Sequence, residues 1–145
     1  MKHPIRLFAL LLGVLLTLSC DRADDLNEIF QGQRFKITGL TYNGTKTVKE
    51  VTQFYTSTDV YWIAFTNQTF QGTLQAGMPI EGTWSADGNN RTITFHFTSP
   101  TDANNAGELS TLIYNILRGA TTYSGDKNVL KIMIDNKSFI EMSSM

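Results

Sequence analysis

Short segments in which apolar and polar residues alternate, separated by turn-forming residues, fill most of the chain after about residue 30. Residues 92–97 are the clearest case, because three apolar side chains alternate there with threonines and one histidine. A period of two places every second side chain on the same face of a β-strand. Asn43-Gly44 and the run from Asp87 to Asn90 are typical hairpin turns. We therefore predict a mainly β (α+β) single domain, either a curved antiparallel sheet or a small barrel of about six to eight strands.

The other strands are predicted from the same alternation. Their ranges are 33–42, 61–65, 69–74, 82–85, 129–134 and 138–142, with a weaker one at 51–55. Met78-Pro79 is interpreted as a break between two of them, because proline cannot donate a ladder hydrogen bond. Ahead of the strands, Leu26, Ile29 and Phe30 have helical spacing, which predicts one short helical turn.

One later segment follows the helical period instead. Its apolar residues recur at i, i+3, i+4, i+7 and i+8 and predict an amphipathic helix over about residues 106–118; they are Leu109, Leu112, Ile113, Ile116 and Leu117. We expect Asn105 to cap its start, Arg118 to oppose the helix dipole, and Gly119 to end it in a left-handed conformation. Because the apolar stripe must be buried, the helix should cover an open end or face of the sheet.

The first 19 residues have the composition of a secretory signal peptide, with a basic start and an apolar core at 7–16. That core has ten residues, whereas a membrane span needs about 20. The segment resembles a lipoprotein signal, with Ser19 directly before the cysteine, although Thr17 stands where the motif has leucine. The resemblance implies that Cys20 is lipidated and anchors the mature chain in a membrane. Ordinary secretion with cleavage nearby is the alternative.

Acidic residues follow the cysteine in a stretch that we interpret as a lipidated tether, residues 20–29. It resembles the surface-export signals of some gut Gram-negative lipoproteins, and a solvated spacer is the alternative. We expect three parts: a signal peptide at 1–19, the tether at 20–29 and a β domain at 30–145. The expected location is the cell envelope, with the lipid in the outer membrane and with the periplasmic and surface faces both open.

The charge of the mature chain is mildly negative. Lys2 and Arg6 of the leader account for two of the 12 basic residues, so 10 basic residues face 13 acidic ones after the leader, a net charge of −3. A nucleic-acid surface would require clustered Lys and Arg, so we expect no such partner. Cys20 is the single cysteine, which excludes an internal disulfide. We expect a monomer.

Residues that could carry chemistry are few. His96 is the one histidine after the leader, and its strand pattern predicts that it faces outward. No sequence motif places a base beside a nucleophile, and a zinc site would need three or four ligands, so we expect no cofactor and no metal. Glu81, Glu108 and Glu141 leave open an enzyme that acts on glycans through carboxylates alone.

Two aromatic residues are the candidate binding residues, Trp62 and Tyr55. Trp62 alternates against Tyr61 and Ile63, so it should point away from its neighbours. Exposed aromatic side chains stack on sugars or mark partner surfaces, and core packing is the alternative for Trp62.

The order of elements resembles the META/HslJ-like domain over about residues 30–142. The segment 35–37 (FKI) is similar to the opening strand of that family, and 82–84 (GTW) is similar to its hairpin motif. The stretches 108–117 and 122–130 resemble its ending of a helix followed by two strands. The cysteine-containing segment of that family has no counterpart here. The resemblance implies a role in stress tolerance and envelope stability and supplies no catalytic residues.

These observations together favour a non-enzymatic envelope lipoprotein. We expect it to bind an unknown protein or glycan partner or a small ligand, or to support envelope integrity. A glycan-acting surface enzyme is one alternative. A small barrel that carries an apolar ligand is another, although the late helix would fill or cover its cavity.

Overall fold

A computed structural model of the chain describes residues 22–46, 58–75, 78–98 and 107–145. The predictions that concern Cys20, Tyr55, Asn105 and the strand at 51–55 lie outside these residues. The described elements are, in chain order, α1 (Arg22–Phe30), β1 (Arg34–Tyr42), β2 (Thr45–Lys46), β3 (Trp62–Thr66), β4 (Thr69–Thr73), β5 (Pro79–Asp87), β6 (Thr92–Phe97), α2 (Glu108–Arg118), β7 (Thr122–Gly125), β8 (Val129–Met133) and β9 (Phe139–Ser144).

Eight of these strands form a closed antiparallel barrel. The wall runs β1-β3-β4-β5-β6-β7-β8-β9, and six residue pairs between β9 and β1 close it. β2 is a ninth strand, joined to the end of β1 by Asn43-Gly44. Both turn residues have positive φ, 49° and 79°, as the tight turns that match strand twist require. The predicted fold class is confirmed, and of its two forms the barrel is correct.

Aromatic side chains fill the barrel interior around Phe30, the last residue of α1. The ring centroid of Phe30 lies 5.2 Å from that of Phe65, 4.9 Å from Trp84 and 5.2 Å from Tyr123. These three partners belong to β3, β5 and β7, so one ring contacts three parts of the wall. Such edge-to-face and tilted contacts are the favoured aromatic geometries. The first helix therefore closes one end of the barrel with an aromatic plug.

The helix α1 is longer than the single turn that the sequence predicts, with nine residues. It packs through the three residues on which that prediction rested. Ile29 and Phe30 are buried, and Leu26 is partly buried against the core. Positions within 20–29 are thus part of the packed structure.

The wall is weakest between β6 and β7. One residue pair, Thr92↔Thr122, and two flanking backbone hydrogen bonds join these strands. The helix α2, which connects them in the chain, packs against β6, β8 and β9 and buries its apolar side. The apolar stripe is therefore buried against the barrel, as its spacing predicts. Its fully buried residues include Ile113, Ile116 and Leu117.

Both ends of α2 differ from the prediction. Its N-cap is Gly107 and not Asn105, and no side chain caps it. Gly119 has φ of −96°, so it does not adopt the left-handed conformation, and its N–H donates to the carbonyl oxygen of Asn115 at 3.0 Å. A Cβ at position 119 would lie 3.1 Å from Cδ1 of Ile134, so a larger residue there would require the Ile134 side chain to shift by a few tenths of an ångström.

Two strand predictions also need correction. Pro79 does not break the chain but begins β5, because a first strand residue can lack an N–H donor. The strand β7 was not predicted, since it has only four residues and ends in Gly125. Its alternation is too short to be recognised against the surrounding turn residues.

In the described ranges no helix is long and apolar enough to cross a membrane.

Burial of the α2 face can be tested with two leucines of one helix. Leu117 is completely buried, whereas Leu112 is partly exposed. We expect Leu117→Ala to lower the free energy of unfolding by about 2–5 kcal/mol, because it leaves a cavity. Leu112→Ala should cost about 1 kcal/mol, since less apolar area leaves water on folding. Urea denaturation with an unchanged slope measures both, and equal losses would contradict this packing.

The β7–β8 turn predicts a pH dependence. Backbone N–H groups of Val129 and Asn128 donate to Oδ1 of Asp126 at 3.0 and 2.8 Å and hold its pKa below the ordinary value of 3.8. A carboxyl group with a lowered folded-state pKa stabilises the fold above its unfolded pKa, and this stability is lost as pH falls through the folded pKa. Asp126→Asn should therefore unfold with a weaker dependence on pH below about 4. Urea midpoints at pH 7 and between pH 4 and 2.5 measure it, and parallel profiles would overturn this assignment.

Candidate functional site

A groove of about 630 Å³ lies between the open edge of β6 and the helix α2. Residues 94–98 form one side of it, and Tyr114, Arg118 and Ala120 form the other. Its volume is within the range of about 300–1,000 Å³ that is usual for ligand pockets. The groove exists because the pairing of β6 with β7 ends after Thr92↔Thr122.

Backbone polar groups of β6 point into this groove. The N–H of Ile93 donates to the carbonyl oxygen of Thr121 on the β7 side, whereas the N–H of Thr98 donates to β5. Because hydrogen-bonding groups alternate sides along a strand, those of Phe95 and Phe97 also face the β7 side. Within the part of the chain that the structure describes, no residue of β7 pairs with either of them. This short piece of β6 is an open strand edge in an otherwise closed wall.

The floor of the groove is apolar. Phe97 is half-buried, and its ring centroid lies 4.6 Å from that of Tyr114 on α2 and 5.2 Å from that of Phe70 on β4. Tyr114 itself is buried, with 8 % of its surface exposed. Rings held by such contacts give a floor that does not have to reorganise when an apolar group binds.

The rim of the groove is polar and carries positive charge. Thr94 and His96 point outward from β6, and Arg118 is exposed at the end of α2. Among the described residues, no carboxylate lines the groove and Arg118 forms no ion pair. A guanidinium with free donors at a groove rim favours carboxylate or phosphate groups.

The groove contains hydroxyl groups and one imidazole, but they are not arranged as a nucleophile and its base. Nucleophilic catalysis needs the two side chains within hydrogen-bond reach. Among the described residues no hydrogen bond joins His96 to Thr94, Thr98 or Tyr114. The hydroxyl of Thr94 is instead 2.8 Å from that of Ser85 on β5.

The carboxylates named as an enzyme alternative lie on separate elements. Glu81 is on the outer face of β5 and Glu141 is on the outer face of β9. β5 and β9 are fourth and eighth in the ring of eight strands, so they are on opposite walls. Glu108 is the first residue of α2. Two acids that share a glycosidic bond must stand about 5–10 Å apart, which opposite walls do not allow.

In the described residues no group of three His, Cys, Asp or Glu side chains could hold a metal ion.

Trp62 lies on the outside of the barrel and not in the core. It is half-buried on β3, three strands away from β6, and its Nε1 donates to the carbonyl oxygen of Asp59 at 3.2 Å. The guanidinium carbon of Arg34 lies 4.0 Å from the centre of the indole ring. This cation–π contact occupies one face of the ring, the surface that a sugar would need for stacking. Tyr55, the second predicted binding residue, is outside the described residues.

Lys36 lies beside this tryptophan on β1 and donates from Nζ to the carbonyl oxygen of Val60 at 2.5 Å. Burial lowers the pKa of the Lys36 ammonium below its ordinary value, while the carboxylate of Asp59 opposes this change. Desolvation of a cation always acts in that direction.

Sequence reasoning correctly expected His96 to face outward but missed the groove beside it. Arg118 was interpreted only as a partner of the helix dipole, and Tyr114 received no role. The position of the helix in the sequence was the signal that could have indicated the groove. The helix interrupts the run of hairpins between β6 and β7, and at such an interruption two strands have no tight turn to keep them paired.

The family model described as a domain of unknown function, DUF4847, matches residues 21–142. The chain belongs to the DUF4847 family. A crystal structure of a DUF4847 family protein from Bacteroides vulgatus ATCC 8482, determined at 1.00 Å, is similar with a TM-score of 0.62 and 25% sequence identity. The match covers 81% of this chain and 96% of that chain. No curated protein matches the chain.

The DUF4847 match corrects the resemblance to META/HslJ-like domains, which is wrong. That resemblance rested on alternating size and polarity around residues 35–37 and 82–84 and on a helix followed by strands. An antiparallel barrel with a late helix produces such a pattern whatever its family, because alternation records only which side chains face inward. The absence of the META cysteine segment was the one specific signal, and it agreed with the correction.

Proposed function

We propose that this DUF4847 protein is a non-enzymatic, lipid-anchored envelope protein that binds a partner or ligand in the groove between β6 and α2. The observation that carries this proposal is the open edge of β6, where the backbone groups of Phe95 and Phe97 face a groove with an apolar floor. Convergent polar groups around an apolar floor are the usual composition of a binding site.

The interior of the barrel supports an external site over an internal one. A carrier of an apolar ligand needs an empty lumen, but here the aromatic rings of the core touch one another. The ring centroids of Phe65 and Trp84, for example, are 5.6 Å apart, and those of Phe70 and Phe95 are 5.2 Å apart. Because these side chains fill the barrel interior, little room remains there for an apolar ligand.

The lipid anchor is supported by the leader and by the position of α1. One residue, Asp21, separates Cys20 from the first residue of α1. Since α1 closes one end of the barrel, a lipid on Cys20 would hold that end close to the bilayer. The groove lies between β6 and α2 and not at α1, so a partner could reach it. A diacylglycerol plus a further acyl chain would give stable anchoring, since one chain alone gives marginal binding.

The anchor is tested by changing the cysteine alone. We expect the native protein to fractionate with membranes and to carry a diacylglyceryl group on an N-terminal Cys20, measured by intact mass spectrometry. Cys20→Ala should release the protein from the membrane fraction. Ser19→Ala is the matched control, because a small residue before the cysteine is retained. A membrane-bound Cys20→Ala protein, or an unmodified Cys20, would remove this part of the proposal.

The non-enzymatic reading is tested by turnover. We expect the purified protein to leave panels of glycans, peptides and esters unchanged, because among the described residues of the groove no base is hydrogen-bonded to a nucleophile. His96→Ala, Glu81→Gln and Glu108→Gln should be indistinguishable from the unaltered protein. Turnover that one of these substitutions abolishes, with the unfolding midpoint unchanged, would show an enzyme instead.

A further inference from the structure

Building on the proposed function, we infer that the groove binds an extended acidic peptide segment, which adds to β6 as an extra strand and places a carboxylate on Arg118. Strand addition of this kind takes its affinity from main-chain hydrogen bonds and its selectivity from pockets for alternate side chains. Three features of the groove point to this occupant: its backbone groups, its shape and its charge.

The backbone groups have the spacing of a strand edge. Phe95 and Phe97 each direct an N–H and a C=O toward the groove, and residues two apart on a strand are about 6.8 Å apart. An extended peptide repeats its own groups at this spacing, so it can pair with both residues together. The new strand would lie in the space where β7 no longer accompanies β6, beyond Thr92↔Thr122. It would thereby complete the wall where its pairing is weakest.

The position and volume of the groove suit a strand lying between β6 and the helix. Residues 94–98 line it on one side and residues of α2 on the other, and its volume is about 630 Å³. A neighbouring strand would lie about 4.8 Å from β6. On its inner side the peptide would meet the rings of Phe97 and Tyr114. Because side chains alternate along a strand, every second residue of the peptide should be apolar.

The charge selects an acidic partner. Arg118 lies on the rim and is exposed; within the part of the chain that the structure describes, it has no ion pair and no carboxylate lines the groove. A second copy of this chain fits less well, because the outward residues of its β6 carry no carboxylate to offer. They are Thr92, Thr94 and His96. A peptide with an outward carboxylate satisfies the guanidinium in the geometry that arginine prefers.

The experiment uses the full-length protein, purified from membranes in detergent, and three fluorescein-labelled peptides. The first is acidic, acetyl-VTVEVE-amide. The second replaces both glutamates with lysine. The third is the acidic peptide with N-methyl groups on alternate amides, which removes strand hydrogen bonds and keeps every side chain. Fluorescence anisotropy should show binding of the first peptide and a Kd at least about tenfold weaker for the other two.

Variants locate the site. Arg118→Glu should weaken binding of the acidic peptide by about tenfold or more, and Arg118→Gln should weaken it less. The matched control is Lys137→Glu, at an exposed lysine in the turn between β8 and β9, which should leave the Kd within about twofold. Since Arg118→Glu also reverses a charge at a helix end, unfolding midpoints accompany each measurement, and Arg118→Gln keeps the test valid if that variant is unstable.

Hydrogen exchange separates this inference from the proposed function. Amide exchange at Phe95 and Phe97 is compared between native membranes and the purified protein. Protection in membranes together with failure of the acidic peptide to bind would mean a non-peptide occupant, which overturns strand addition and retains a binding groove. Equal binding of the N-methylated peptide would overturn strand addition as well. If the amides are not protected in membranes and the peptide does not bind, both proposals are overturned.

Discussion

The pairing of β1 with β9 is the constraint on which the rest of this structure depends. It joins the first long strand to the last one and turns a meander into a closed wall. Closure satisfies the backbone groups of both terminal strands, which would otherwise be open edges. It also divides the side chains of each strand into an inner and an outer set. The inner set then has to fill a fixed volume, which here is done by aromatic rings around Phe30.

Because the interior is filled by side chains, a binding site of this barrel has to lie on its outer surface. There the pairing of the wall is shortest between β6 and β7, the two strands that α2 connects in the chain. The helix buries its apolar stripe against the core but leaves the edge of β6 without a partner strand. The same helix therefore completes the core and forms one side of the groove beside β6. The groove exists because the chain leaves β6 for α2 before it returns to the wall as β7.

The sequence predicted the local features of this fold better than the relations between distant segments. Alternation gave β6 its bounds and the outward direction of His96, and helical spacing placed α2. Both depend on neighbours in the chain. The contact of Arg34 with Trp62 depends on the register between β1 and β3, and no local pattern contains that register. The groove was missed for the same reason, since it is defined by pairing that β6 and β7 do not make. Family membership was misjudged because alternation alone does not distinguish one barrel family from another.

Closure of the wall has a consequence for how the chain acquires its structure. The hydrogen bond from the hydroxyl of Thr38 to the carbonyl oxygen of Glu141 spans 103 positions, and the other contacts between β1 and β9 are similarly remote. Folds dominated by such distant contacts form slowly, on the order of milliseconds to seconds. During synthesis, the edge of β1 that pairs with β9 stays unpaired until the final strand has been made. Hairpins can form early, but the barrel can close only when the chain is complete. Until then the exposed edge of β1 can pair wrongly with other chains.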